Sequence, residues 1–168
     1  MSAAHPEAAA HEPVFVGETM ARLEALFPKY PTRQACLLPA LWMVQEARGW
    51  ISPPAMAEVA EVLGLTPAYV KGVVTFYTMY HTHPVGRHFI QVCTTSPCGL
   101  CGAEETMRAL LHHTGCGELG ATSPDGRFTV VEVECLGACG FVTPVLVDDD
   151  FHDSVTPERI PELLARYA

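Results

Sequence analysis

Two pairs of cysteines constrain the fold of this chain more than any other feature of its sequence. Cys93 and Cys98 form a C-x4-C pair, and Cys135 and Cys139 form a C-x3-C pair further along. Each pair follows a segment with the pattern of a β-strand, so both pairs are expected in loops at the same kind of sheet edge. Four thiolates that converge from two loops can hold a [2Fe–2S] cluster, with two thiolates at each iron.

The chain has seven cysteines, and its first residues lack the basic and apolar regions of a secretory signal. We therefore expect a cytoplasmic protein, in which cysteines serve metal or redox chemistry more often than disulfides. The longest apolar run, residues 35–44, is shorter than the ~20 residues that a helix needs to cross a bilayer. The formal net charge of −9 argues against a nucleic-acid binder, which needs clustered Lys and Arg.

The two halves of the chain differ in pattern, which predicts an α+β protein with two parts. Residues 1–15 lack a hydrophobic period and are expected to form a flexible tail. Residues 16–83 carry four helical patterns separated by Pro and Gly signals, which indicates a helical bundle, and we expect this bundle to dock to a partner. Residues 84–168 alternate strand and helix patterns, which indicates an α/β layer on a mixed sheet.

Individual elements follow from periodicity and from start and stop signals. Helices are predicted over residues 18–27, 32–48, 52–64, 66–77 and 103–113, and a last one begins at 156. Strands are predicted over residues 88–92, 128–133 and 145–147. Pro39 is expected to kink the second helix or to mark its true start. The acidic residues 148–150 are expected to form a solvated turn.

The cysteine spacings alone leave three other interpretations open. Two short-spaced pairs also suit a closed zinc site of four thiolates. Cys98 and Cys101 form a C-x-x-C motif that is expected at the start of a helix, as in a thiol–disulfide oxidoreductase. Finally, Cys93, Cys98 and Cys101 together match the C-x4-C-x2-C spacing of plant-type ferredoxins, so spacing does not say which cysteine is the spare.

Small and hydroxyl residues beside the cysteines are candidates to tune a cluster. Gly137 and Gly140 allow the backbone to approach closely, so that their amides can point at sulfur. Thr94 can add a hydroxyl donor, and such donors stabilise the more negative reduced state. Cys36 lies in an apolar helical pattern and Cys116 in a glycine-flanked turn, so both are expected to be ordinary thiols.

Five segments carry a family resemblance that covers about residues 16–168. They are RGWISP (48–53), VVTFYTMY (73–80), PVGRHFIQVCTTSPC (84–98), VEVECLGACG (131–140) and TPERIPELL (156–164). In these segments the chain resembles the thioredoxin-like [2Fe–2S] subunit of NADH:quinone oxidoreductase, the respiratory complex I. The resemblance implies a thioredoxin-like [2Fe–2S] ferredoxin domain after the helical bundle.

The resemblance also implies a function and a set of ligands. It makes Cys93, Cys98, Cys135 and Cys139 the ligands of one [2Fe–2S] cluster, while Cys101 departs from the family pattern. The cluster is expected to exchange single electrons with FMN on the NADH-binding flavoprotein subunit, in the peripheral arm of a membrane-associated complex with further iron–sulfur subunits. No catalytic residue is expected on this chain. The chain is not expected to bind NADH or flavin by itself.

Related subunits of NAD-linked hydrogenases and formate dehydrogenases, including electron-bifurcating ones, resemble the chain equally well. The host complex therefore stays open at this stage.

Overall fold

The computed structural model of the chain describes residues 12–141 and 143–167. The chain divides into two compact units, which run from Met1 to Pro84 and from Val85 to Ala168. Each unit encloses a hydrophobic core of its own. Most of the expected tail, residues 1–11, lies outside the described residues.

Four α-helices form the first unit, as the hydrophobic pattern predicts. They are α1 (Gly17–Glu24), α2 (Leu37–Arg48), α3 (Pro53–Leu63) and α4 (Pro67–Phe76). Short 3₁₀ turns at Phe27–Lys29 and Arg33–Cys36 connect α1 to α2. Buried side chains from all four helices share one core, so packing of the apolar faces holds the bundle together.

Side-chain caps fix the helix starts in the bundle. The Ser52 hydroxyl accepts a hydrogen bond from the Ala55 amide at 3.3 Å, and the Thr66 hydroxyl accepts one from the Tyr69 amide at 3.2 Å. Each cap precedes a proline, which is favoured at the first position of a helix. Pro39 lies in the first turn of α2, where backbone N–H groups have no helical partner, so it marks the start of the helix.

The expected tail ends before residue 15, because Val14 and Phe15 are buried in the bundle core. Glu58 of α3 holds them in place. Its Oε1 accepts hydrogen bonds from the Val14 amide at 2.8 Å and from the Phe15 amide at 2.7 Å. The prediction of a tail through residue 15 is therefore wrong at its end, since two apolar residues are too few to show a period.

The second unit is an α/β layer around a four-stranded sheet. Its strands are β1 (His88–Cys93), β2 (Phe128–Val133), β3 (Val145–Val147) and β4 (Asp150–His152), and its helices are α5 (Ser96–Leu100), α6 (Ala103–Thr114) and α7 (Ile160–Ala165). The strand order is β2-β1-β3-β4. The β1–β2 pair is parallel and the other two pairs are antiparallel, so the sheet is mixed as predicted.

Apolar residues of α6 and α7 bury the sheet. Leu110 of α6 and Ile160 of α7 are fully buried in the same core as Ile90 of β1 and Val130 of β2. A 3₁₀ turn at Pro157–Arg159 leads into α7. The predicted α+β fold class, with a helical bundle before an α/β layer, is confirmed.

Two short elements of the second unit are absent from the sequence prediction, namely α5 and β4. The acidic run was expected to be a solvated turn, but Asp150 begins β4. Asp148 is also bonded: its carboxylate accepts a hydrogen bond from the Phe89 amide at 2.7 Å, and its Oδ2 lies 2.7 Å from Nδ1 of His88. The turn between β3 and β4 is thereby fastened to the start of β1.

None of the described helices is, by itself, both long enough and apolar enough to cross a membrane. The α3–α4 pair reaches the required length and composition only when taken together, and it is bent by 118°.

Gly86 gives a test of the packing at the amino end of the sheet. A Cβ added there would lie 2.6 Å from the backbone carbon and 2.8 Å from the backbone nitrogen of Phe128, and neither atom can move without displacing β2. We expect Gly86→Ala to lower the free energy of unfolding by about 1–3 kcal/mol, the usual cost of overpacking a core. Urea unfolding of the whole chain measures this.

The matched control is Gly117→Ala, since a Cβ at Gly117 meets nothing within 4 Å and the residue has no positive φ. We expect the control to change the free energy of unfolding by no more than ~0.5 kcal/mol. Equal effects of the two substitutions would contradict this account of the packing.

Candidate metal centre

Parallel pairing of β1 and β2 brings the two cysteine loops to the same edge of the sheet. Cys93 is the last residue of β1 and pairs with Val133, the last residue of β2. The Thr94 amide donates to the Val133 carbonyl at 3.0 Å, so the two segments stay hydrogen-bonded one residue beyond the end of β1. Cys135 follows Val133 by two residues, and the loops therefore begin side by side.

The first cysteine pair is buried. Cys93 and Cys98 are each 2% exposed, and they pack with Ala103 and with the partly buried Leu136 in a small cluster separate from the main core. Cys98 lies within α5, a helix of five residues that the sequence prediction missed. This helix turns the Cys98 thiol back toward the end of β1, where it interacts with the Cys93 thiol.

The second cysteine pair is exposed. Cys135 and Cys139 lie in the loop after β2, and both thiols reach the surface. Gly137 between them has a φ of +73°, a conformation that favours glycine, and its amide donates to the Cys135 sulfur at 3.3 Å. Gly137 therefore plays the part that the sequence suggested for it toward a sulfur atom.

The four thiols form one interacting group. Burial raises the pKa of the Cys93 thiol, but hydrogen bonds outweigh burial and the net shift is downward. The donors are the backbone amides of Leu136 and Thr95 and the thiols of Cys98 and Cys135. Cys93 is thus favoured as a thiolate, the form of cysteine that ligates metals.

The pKa values of the Cys98 and Cys139 thiols are raised, the first mainly by burial and the second mainly by a neighbouring charge. Burial, together with the hydrogen bond to Cys93 and its charge, raises the pKa of Cys98 to about 11. The charge of Cys135 and the hydrogen bond with it raise the pKa of Cys139. Four thiolates in one place repel one another, and a bound cationic centre removes that repulsion.

The arrangement suits a two-iron cluster. Within the described ranges, no group of three or more His, Cys, Asp or Glu side chains has the geometry to hold a single metal ion. A closed zinc site needs four ligands around one ion. A [2Fe–2S] cluster instead takes its four thiolates in pairs, one pair at each iron, and the two loops supply two such pairs. The donor set therefore fits the cluster.

The three remaining cysteines stand apart from these four. Cys101 immediately follows α5 and is exposed. The raised pKa of Cys98 arises from burial and from Cys93 and Cys139, and the Cys101 thiol does not contribute to it. Cys36 is fully buried in the bundle core, as expected. Cys116 is buried in the second core, and its thiol lies 3.4 Å from the Phe128 carbonyl, so it is a packing residue.

The structure adds backbone donors that sequence reasoning missed. The backbone amides of Leu136 and Thr95 donate hydrogen bonds to the Cys93 sulfur, and the Thr143 amide donates one to the Cys98 sulfur. Thr143 is buried and has a φ of +44°. This conformation is rare for a β-branched residue, so the surrounding structure must enforce it. No pattern in the sequence signals such donors, because every residue except proline carries a backbone N–H.

The structure gives the Thr94 hydroxyl a backbone partner and leaves the predicted role of the Gly140 amide untested. The Thr94 hydroxyl donates to the Val133 carbonyl at 3.4 Å. A Cβ added at Gly140 would meet nothing within 4 Å, so close approach does not require a glycine there. Their roles toward a cluster stay predictions.

Comparison with known proteins identifies a family. The family model described as thioredoxin-like [2Fe–2S] ferredoxin matches residues 23–168. Subunit 2 of the NADH-quinone oxidoreductase of Thermus thermophilus is 42% identical over 146 residues, which are 85% of this chain and 80% of that protein. An NADH-quinone oxidoreductase subunit of Rhizobium meliloti is 39% identical over 145 residues, 86% of each chain.

More distant or longer proteins also match. The mitochondrial NADH dehydrogenase [ubiquinone] flavoprotein 2 of Dictyostelium discoideum is 40% identical over 153 residues, and the match spans 89% of this chain but only 62% of that protein. A crystal structure of an NAD⁺-reducing [NiFe]-hydrogenase superposes with a TM-score of 0.66 at 22% identity, over 79% of this chain and 22% of that one. This last likeness shows the fold alone.

Gly137→Ala tests the amide that bonds to Cys135. A positive φ costs an L-residue roughly 1 kcal/mol, so the loop is expected to relax and weaken the bond to sulfur. Loss of a donor destabilises the reduced state. We expect a more negative midpoint potential and faster loss of bound iron to a chelator, measured by redox titration and by absorbance.

Gly140→Ala is the control for this substitution, since Gly140 has no positive φ and open space around it. Both readouts should stay at the values of the unaltered protein. The same potential in all three proteins would mean that the Gly137 amide does not tune the site.

Proposed function

Because the chain belongs to the thioredoxin-like [2Fe–2S] ferredoxin family, we propose that it is the electron-transfer subunit of an NADH:quinone oxidoreductase. In this proposal Cys93, Cys98, Cys135 and Cys139 ligate one [2Fe–2S] cluster, and FMN and NADH bind to a partner flavoprotein subunit. The relatives named above are subunits of NADH-quinone oxidoreductases at about 40% identity over most of the chain, which supports this assignment.

The observation that carries the proposal is the convergence of four thiols from two loops. The loops follow the neighbouring parallel strands β1 and β2, and the thiols interact in one group. When bound, the cluster supplies one-electron redox chemistry, which the flavin of a partner requires when its two electrons leave one at a time.

The chain's own residues hold and tune the site. Burial of Cys93 and Cys98 lowers the local dielectric, which strengthens the interaction of each sulfur with nearby donors. The amides of Leu136, Gly137 and Thr143 present fixed partial positive charges toward sulfur atoms. Such donors stabilise added negative charge and so raise a reduction potential. None of these groups transforms a substrate.

A thiol–disulfide oxidoreductase is the candidate from another class, and the geometry favours it less. Its reactive cysteine needs an accessible thiol with a lowered pKa. Cys98 is 2% exposed and its pKa is raised to about 11, which is the opposite condition. A structural zinc site would use the same four thiolates around one ion, and membership of a [2Fe–2S] ferredoxin family favours the cluster over it.

The host complex follows from the relatives by analogy. We place the chain in the peripheral arm of a membrane-associated complex, on the cytoplasmic side, with the flavoprotein and further iron–sulfur subunits as neighbours. An NAD-linked hydrogenase or formate dehydrogenase is the alternative host. Co-purification distinguishes them, because a quinone-reducing membrane arm supports the first host and a hydrogenase or formate dehydrogenase subunit supports the second.

Metal analysis tests the proposal directly. The chain is purified without oxygen, its iron and zinc are measured, and EPR spectra are recorded before and after reduction with dithionite. We expect two irons per chain and a spin-half signal that appears on reduction, as a [2Fe–2S] cluster requires. One zinc per chain without visible colour would replace the cluster by a structural site. A metal-free chain would point to the Cys98–Cys101 dithiol.

Cysteine variants test the assignment of ligands. Cys139→Ser removes one ligand, so we expect loss of most of the iron and a loosened second unit, since metal binding is coupled to folding. Cys101→Ser is the matched control, because Cys101 stands apart from the four interacting thiols. It should retain full iron and the EPR signal. Loss of the cluster in Cys101→Ser would show that the register of ligands is wrong.

A further inference from the structure

Exposed apolar side chains stand two residues after one cysteine of each pair. Leu100 follows Cys98 and is 89% exposed, and Phe141 follows Cys139 and is 51% exposed. In the described part of the second unit, the other exposed large apolar side chain is Phe151, on β4. Such side chains cost free energy in water, and in groups they mark interaction surfaces.

The two exposed cysteines of the set of four lie in one loop, the one that follows β2. Cys135 and Cys139 are exposed, whereas Cys93 and Cys98 are buried. A molecule that exchanges electrons with a group held by these four thiols therefore approaches from the side of Cys135 and Cys139. Phe141 belongs to that loop, and Leu100 belongs to the loop beside it.

Unpaired carboxylates accompany these apolar residues. Glu132 is exposed near the end of β2, and Glu134 is exposed immediately before Cys135. Among the residues that the structure describes, neither carboxylate has an ion-pair partner. The segments 93–103 and 131–143 contain no Lys or Arg. The ligating thiolates add more negative charge.

The arginines of the second unit lie outside the two cysteine loops. Arg87 and Arg127 immediately precede β1 and β2, so they lie at the amino ends of these parallel strands, opposite the cysteine loops. Arg108 is engaged by the two glutamates at the start of α6, with nitrogen–oxygen distances of 3.3 and 3.7 Å. The two cysteine loops therefore carry carboxylates and no basic side chain.

From these observations we infer that the cysteine end of the second unit is a docking surface for an electron-exchange partner with an apolar centre and a cationic rim. The inference rests on the proposed function. Leu100 and Phe141 provide the apolar contact, and Glu132 and Glu134 select lysine and arginine on the partner. Electrostatic complementarity of this kind sets association rate and salt dependence more than affinity.

Small oxidants of opposite charge test the charged part of the surface. Reduced holoprotein is mixed in a stopped-flow instrument with hexaammineruthenium(III), a cation, or with ferricyanide, an anion. One electron passes from the protein to each oxidant, with no proton transferred. We expect the rate with the cation to fall as salt is added, and the rate with ferricyanide to rise.

Charge-neutral variants locate the effect. Glu132→Gln/Glu134→Gln should lower the rate with the ruthenium cation on the order of tenfold at low salt and flatten its salt dependence. The matched control, Glu118→Gln/Asp149→Asn, removes the same charge from exposed sites outside the cysteine loops. It should change the rate little. Equal effects of the two double variants would overturn the inference.

A protein-sized acceptor tests the apolar part. Leu100→Ser/Phe141→Ser should lower the second-order rate of reduction of a cationic cytochrome c several-fold. The control Phe151→Ser alters an exposed phenylalanine of similar exposure, 47%, and should leave the rate unchanged. If Leu100→Ser/Phe141→Ser reduces cytochrome c as fast as the control does, Leu100 and Phe141 do not belong to the docking surface.

Iron content and the EPR signal are measured in every variant before kinetics. A wild-type chain without two irons would contradict the proposed function itself. A fully loaded chain that shows no preference for cations would contradict only the docking surface. The two failures are therefore distinguishable.

Discussion

The parallel pairing of β1 with β2 is the interaction on which the rest of the site depends. It sets Cys93 against Val133, so both cysteine loops leave the sheet at one edge. Side chains alternate between the faces of a strand, and a slip of one residue would turn the Cys93 thiol to the opposite face. Register is held by the buried residues of β1 and β2 and, beyond Cys93, by the Thr94 amide on the Val133 carbonyl. The geometry of a site with exposed thiols is thus specified by a buried core.

Much of the fold can be predicted from the sequence, because the signals that start and end its helices and strands lie in adjacent residues. Ser52 and Thr66, each followed by proline, predict helix starts that the structure has, and β2 and β3 have the predicted ends. Prediction fails where a few residues are held by distant partners. Val14 and Phe15 are ordered by Glu58, more than forty positions away along the chain, and no periodicity reports this. Helix α5 and strand β4 are likewise too short to show a period.

The site, like the fold, has a part that the sequence predicts and a part that it does not. Residue type and spacing mark the cysteines of the second half as candidates, because thiol chemistry belongs to a side chain, and the family resemblance selects Cys93, Cys98, Cys135 and Cys139 among them. The groups that lower the pKa of those thiols include backbone amides, and a pattern of side chains in the sequence does not predict where a backbone amide points. Thr143 is the clearest case: its positive φ aims an amide at the Cys98 thiol, and nothing in the sequence of a threonine before a proline suggests it. The expected hydroxyl donor, Thr94, turns instead to a carbonyl.

An asymmetry between the two loops connects stability with function. Cys93 and Cys98 are packed with Ala103 and Leu136, so their positions are set by hydrophobic burial before any metal arrives. The loop with Cys135 and Cys139 has no such burial, and its thiols repel one another when charged. If these thiols ligate a metal as proposed, its binding adds to the free energy that orders this second loop. Because the same loop carries Cys135, Cys139 and the exposed Phe141, the proposed ligands and the proposed docking surface share one segment of the chain.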